Sequence, residues 1–172
     1  MKLLKLLSIV AGCFFFTQAA TAQSSPAISA EYSNEAIASL IRKYKMSHSH
    51  DVIPPAELAA KFKADFPRAY KVEWEVADGI YEVEFDIKFR DYTAYYDAKG
   101  NLLMTEEEIY RSELPAIVKN AAETKYPKYS FEDIDRIRRG TEVFYEIEME
   151  LRDAEVKLLI KSDGTVLEER ID

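Results

Sequence analysis

The chain has 172 residues, with 23 basic and 31 acidic side chains and a formal net charge of −8. The first 22 residues carry two lysines and no acid, so the remainder holds 21 basic against 31 acidic residues, a net charge of −10. That balance excludes nucleic acid and anionic lipid as partners, since both would be repelled. The only cysteine, Cys13, lies in the same opening stretch, which leaves no disulfide, thiol nucleophile or cysteine metal site beyond it.

Residues 1–22 read as a signal peptide. Lys2 and Lys5 form a charged opening, and an apolar run from Leu6 to Phe16 follows, too short to span a bilayer. Ala20-Thr21-Ala22 supplies the small residues of a cleavage site, so a periplasmic or secreted protein beginning near Gln23 is expected. Val10-Ala11-Gly12-Cys13 offers a competing lipoprotein reading, against which Phe14-Phe15-Phe16 continue the apolar run where a polar tether belongs. No later segment has the length of a membrane helix. Residues 23–53 read as a leader with a short helix and a linker: a Ser- and Ala-rich flexible stretch to Ser33, then a helix capped by Asn34. Ile37, Leu40, Ile41 and Tyr44 give that helix one apolar stripe, which docks on the core or else serves a partner.

The rest is a repeat. Phe66-Pro67 and Tyr126-Pro127 lie 60 residues apart, as do Pro55 and Pro115, and Trp74 and Ile134. Further on the offset is 64, matching Tyr81-Glu82-Val83-Glu84 to Tyr145-Glu146-Ile147-Glu148 and Gly100 to Gly164. The copies run 54–109 and 114–172, with a four-residue insertion between the first and second strands of copy two. Each opens with a Pro-led helix: Leu58, Phe62 and Phe66 share one face, as do Val118, Ala122 and Tyr126, and the following proline stops it. Period-two strands follow. Val72, Trp74 and Val76 alternate with Glu73 and Glu75, and Tyr81, Val83, Phe85, Ile87 and Phe89 alternate with Glu82, Glu84, Asp86 and Lys88. In copy two Val143, Tyr145, Ile147 and Met149 alternate with Phe144, Glu146, Glu148 and Glu150. The predicted fold is α+β: two tandem repeats, each one helix packed on a four-stranded antiparallel sheet, with an extra N-terminal helix.

On these residues the chain resembles the PepSY-like, beta-lactamase-inhibitor-like family of exported bacterial proteins. Phe66-Pro67, Lys71-Val72-Glu73-Trp74 and Tyr96-Asp97-Ala98-Lys99-Gly100-Asn101-Leu102 carry the likeness in copy one; Tyr126-Pro127, Tyr145-Glu146-Ile147-Glu148 and Asp163-Gly164-Thr165 carry it in copy two. The resemblance implies a tandem α+β module of the periplasm or cell exterior without catalytic residues. Inhibition of a beta-lactamase would be a fold-level analogy only.

The residue types that carry chemistry point the same way. Gly79, Gly100, Gly140 and Gly164 all fall at strand turns, leaving none for a phosphate loop. His48 and His50 sit in a polar linker, Ser47-His48-Ser49-His50-Asp51, which gives poor metal-ligand geometry. Asp97-Ala98-Lys99-Gly100-Asn101 puts lysine where a calcium loop needs an oxygen, and a hairpin turn explains it. A hydrolase would need a carboxylate raised in an apolar pocket, for which the wet strand faces give no sign. No catalytic residue, cofactor or metal is therefore expected. The candidate protein-binding surface is the wet face of the sheets: Glu82, Glu84 and Asp86, Glu146, Glu148 and Glu150, with Tyr95, Phe144 and Leu159 exposed among them. A protein partner in the cell envelope is the expected ligand, and a small ligand or cation on the acidic face is the alternative.

Overall fold

Helix α1 (Asn34–Met46) starts one residue earlier than expected, because Ser33 caps it: the Ser33 Oγ accepts from the Ala36 N–H at 3.2 Å. Asn34 instead ties α1 to a strand turn, donating from Nδ2 to Glu142 and accepting the Thr141 N–H at 3.3 Å. Gly140 is in that turn at φ +56, and a Cβ there would lie 1.8 Å from Asn34 Oδ1, so the junction favours glycine. The computed structural model describes residues 25–171. The signal peptide, its cleavage site and Cys13 lie outside the described residues.

Helices α2 (Ala56–Asp65) and α3 (Ala116–Lys125) are the same length and follow Pro55 and Pro115. They stop in matching backbone geometry, Phe66 at φ −128 and ψ 66 and Tyr126 at φ −129 and ψ 66, because the next residue is proline. The strands are β1 (His50–Asp51), β2 (Tyr70–Ala77), β3 (Ile80–Ile87), β4 (Arg90–Asp97), β5 (Leu102–Glu108), β6 (Ser130–Arg139), β7 (Glu142–Leu151), β8 (Ala154–Lys161) and β9 (Val166–Ile171).

Two four-stranded sheets were the expectation, and the structure joins them. The strands form one nine-stranded sheet in sequence order, antiparallel throughout. The seam is β5 on β6, from Met104 opposite Arg139 to Glu108 opposite Asp135. The ninth strand comes from the expected linker, where His50 and Asp51 pair with Val76 and Glu75. The stretch before α1, expected to be flexible, is tied down: Ser29 N–H donates to Leu102 O at 2.8 Å, and Tyr32 Oη donates to Asp97 at 2.8 Å.

Both repeat helices lie on one face. Leu58, Phe62 and Phe66 of the α2 segment pack with Val83, Phe85, Ala94 and Tyr96, and Trp74 joins them. Val118 and Ala122 of α3 pack with Ile147, Met149, Val156 and Leu158. Helix α1 lies on the opposite face. Its Ile37, Ile41 and Tyr44 cover Ile80, Tyr95, Met104, Ile137 and Phe144, with Leu159 packed at the margin. The stripe therefore does dock, on the side where solvent was expected. Tyr95 is 1% exposed and Phe144 2% exposed, which corrects their assignment to a wet face. Strict alternation cannot distinguish solvent from a third layer on a sheet's second face.

The repeat extends to its irregularities. Register shifts occur in β2 between Tyr70 and Glu73 and in β6 between Phe131 and Asp133. They recur in β4 between Tyr95 and Tyr96 and in β8 between Leu159 and Ile160. In the second pair the unmatched residue lies on the neighbouring strand: Leu103 of β5, fully buried against the α1 cluster, corresponds at the 64 offset to Leu167 of β9, which is 46% exposed. The copies differ there because α1 is present once.

Candidate protein-binding face

Helix α1 covers the end of its face that carries the β2–β3 and β6–β7 turns, and leaves the other end open. Alternation along β2 and β3 puts Glu73, Glu75, Glu82 and Glu84 on the open part. They stand in two directly opposed pairs, Glu73 with Glu84 and Glu75 with Glu82. Copy two repeats the arrangement at the same offsets, pairing Asp133 with Glu148 and Asp135 with Glu146. Like charges directly opposite each other across strands are destabilising, so eight carboxylates in four such pairs carry a cost for the fold.

The copies meet that cost differently. In copy two, Lys157 lies 2.9 Å from Glu148 and 3.9 Å from Glu146, and Arg170 lies 3.4 Å from Glu146. At the same offset copy one has Thr93 in place of Lys157 and Glu106 in place of Arg170. None of Glu73, Glu75, Glu82 and Glu84 has an ion pair among the described residues. Neutral donors serve two of them: Ser49 Oγ donates to Glu75 at 2.5 Å and Tyr95 Oη to Glu82 at 2.9 Å. The four line a surface cavity of about 390 Å³ with Trp74, Asp51 and Val52.

The electrostatics record the crowding. Burial, then Glu82, Glu75 and Glu73, raises the Glu84 carboxyl above its ordinary range. Burial also raises Glu106, against the opposing pull of Lys45 at 3.2 Å. Asp135 is pushed up to about 7 by burial, with Asp133, Glu106, Glu146 and Glu108 adding to it. A raised carboxyl means that the folded chain holds a proton which the unfolded chain releases near pH 4, so this group lowers stability as pH rises from about 4 to about 7. Asp135→Asn is expected to gain about 1–2 kcal/mol over the natural protein at pH 8, allowing for solvent screening, and nothing below pH 4. Urea unfolding at the two pH values checks this, and equal gains at both would refute it.

Of the sequence-predicted residues, Glu82, Glu84 and Asp86 lie on the open face, Asp86 held below its ordinary range by Lys71 at 2.7 Å. Glu146 and Glu148 lie there with their cations, and Glu150 is exposed nearby, opposite Glu155. Tyr95, Phe144 and Leu159 are under or beside α1. Glu73, Glu75, Asp133 and Asp135 were missed, although the alternation of Glu73 and Glu75 with Trp74 was a usable signal. The Asp97 loop is a turn: its carboxylate accepts from the N–H groups of Lys99 and Asn101, each at 2.9 Å. Among the described residues, no group of three or more His, Cys, Asp or Glu side chains is arranged to hold a metal ion, and no helix is long and apolar enough to cross a membrane.

A sheet with helices on one face, a single helix half-covering the other and an open acidic surface defines a duplicated α+β module built around a surface and not a cleft. The family model for beta-lactamase-inhibitor-like, PepSY-like proteins matches residues 22–104 and again 81–168, and the chain belongs to that family. Solved structures share the fold. A BLIP-like protein from Bacteroides fragilis is 23% identical, with TM-score 0.61 over 70% of this chain and 87% of its own. A DUF2874 family protein from Bacteroides uniformis is 18% identical, with TM-score 0.64 over 69% and 90%. A Bacteroides eggerthii protein, whose description proposes a periplasmic location, is 16% identical, with TM-score 0.65 over 70% and 90%. No curated protein matches the chain.

Proposed function

We propose that this is an exported, non-catalytic module that binds a basic protein partner in the cell envelope through the open half of its sheet, centred on Glu73, Glu75, Glu82 and Glu84. Family membership supports the non-catalytic, protein-binding part of the reading; the description of a structural relative supports export, and Ala20-Thr21-Ala22 in the sequence supports cleavage near Ala22. The observation that carries the choice of face is the difference between the copies. Copy two supplies Lys157 and Arg170 to its own carboxylate pairs, whereas copy one leaves the equivalent pairs without a cation. Lysine and arginine side chains of a partner would complete copy one as copy two completes itself, and would steer the encounter. Complementary charge, more than the half-buried Trp74 at the edge of the cavity, sets the specificity.

The test gives copy one the cation of copy two. Thr93→Lys places an ammonium opposite Glu84, as Lys157 stands opposite Glu148. It is expected to raise stability by about 0.2–1 kcal/mol. The folded chain, immobilised, is exposed to envelope extract at low ionic strength. A basic protein is expected to be retained, released by salt and retained several-fold less by Thr93→Lys. Equal retention by both, or an empty eluate, overturns the reading.

A further inference from the structure

On its other flank, α1 leaves a groove between itself and strands β6–β9. Two adjoining cavities of about 300 and 440 Å³ make it up, and both are lined by Ala38, Arg42, Arg139, Phe144, Leu159 and Glu168. The floor is apolar, since Phe144, Ile137 and Met104 are buried and Leu159 packs beside them. The combined size suits a small organic molecule.

Five basic and five acidic residues line the walls, and two of the arginines stand apart in having no ionic partner among the described residues. Four basic residues line the smaller of the two cavities, and two of them are committed: Lys45 to Glu106 at 3.2 Å and Arg170 to Glu146 at 3.4 Å. Arg42 and Arg139 have no ion pair among the described residues. Of the three carboxylates that act on Arg139, Glu142 is taken by Lys161 at 2.6 Å, while Glu168 and Glu35 stand beyond ion-pair distance. The Arg139 guanidinium lies over the Phe144 ring, 4.3 Å from Cζ to centroid. Its Nε is buried and donates to nothing. Burial holds Arg139 below its ordinary pKa, the signature of a cation short of compensation. An orphaned donor of this kind costs free energy unless a ligand satisfies it.

We propose that this groove binds a small amphipathic anion, with a carboxylate or sulfonate head on Arg42 and Arg139 and an apolar body along Phe144, Leu159 and Met104. A fully polar anion would leave the floor wetted, and a neutral apolar molecule would leave the guanidinium groups unpaired. The planar fork of arginine suits a carboxylate in two-point contact. The groove borders the copy-two carboxylates through Glu146 and Arg170 but includes none of Glu73, Glu75, Glu82 and Glu84, on which the protein-binding reading rests, so the two proposals are tested separately.

The folded chain is titrated calorimetrically with decanoate, decanol and acetate. Decanoate is expected to bind saturably at one site per chain, with decanol and acetate each weaker by about tenfold or more. Arg139→Gln is expected to lower decanoate affinity by about tenfold and leave decanol binding unchanged. Arg42→Gln, on an exposed position of α1 where no fold contact is lost, is expected to lower it several-fold. Raising the salt concentration weakens decanoate only. Decanol binding as tightly as decanoate, affinities within about twofold of the natural protein in both variants, or no saturable binding up to about 1 mM overturns the proposal.

Discussion

Phe144→Ala is expected to cost about 3–5 kcal/mol of folding stability. The ring is 2% exposed and sits where α1 meets the seam half of the sheet, with Ile37 and Ile41 above it and Arg139 stacked against it. Truncation removes the transfer energy of the ring and leaves a cavity that a helix pinned elsewhere cannot collapse to fill. It also strips the guanidinium of its packing surface. Equilibrium urea unfolding followed by circular dichroism measures the loss. A truly wet residue at this place would change stability by no more than about 0.5 kcal/mol, and such a value would mean that α1 does not cover the sheet.

Trp74→Ala is expected to cost about 2–4 kcal/mol, the lower end reflecting that the indole is half-buried. Its ring stands edge-on to Phe62 at 5.3 Å and lies 6.3 Å from Tyr96, at the margin of the α2 core. In copy two the position is Ile134, buried in the α3 core, so the shared role is volume and not the chemistry of an indole. Trp74→Leu should accordingly retain most of the stability. Thermal melts of both variants separate these outcomes, and equal losses from Ala and Leu would assign the indole a role beyond filling space.

The parts of the molecule legible in the sequence were those fixed by local rules. The proline-led helices, their aromatic-proline stops and the turns at Gly79, Gly100 and Gly164 follow from backbone geometry that a few neighbouring residues dictate. What could not be read was which elements cover which face. Tyr95 and Phe144 alternate with glutamates and so look wet, yet α1 arrives from more than forty residues away to bury them. The β5–β6 seam was equally hidden, since edge pairing between two similar sheets leaves no periodic mark. The β3–β4 turn was missed for the opposite reason: Lys88 and Phe89 both adopt positive φ, 53 and 66, where glycine or asparagine would have signalled it. The site was half legible. Its carboxylates showed as a pattern, but their pairing across strands, and the cations present in one copy alone, needed the register.

The seam also bears on how such a molecule avoids pairing with other chains. Two separate sheets would expose four edge strands, each a template for pairing with another chain. Fusing β5 to β6 leaves two. One is β1, only two residues long, and the other is β9, whose Glu168, Glu169 and Arg170 put charge along the rim. Fusion is also expected to couple the unfolding of the copies, because opening either one strips hydrogen bonds from the other. Duplication here produced one cooperative body with short, guarded margins, not two beads on a string.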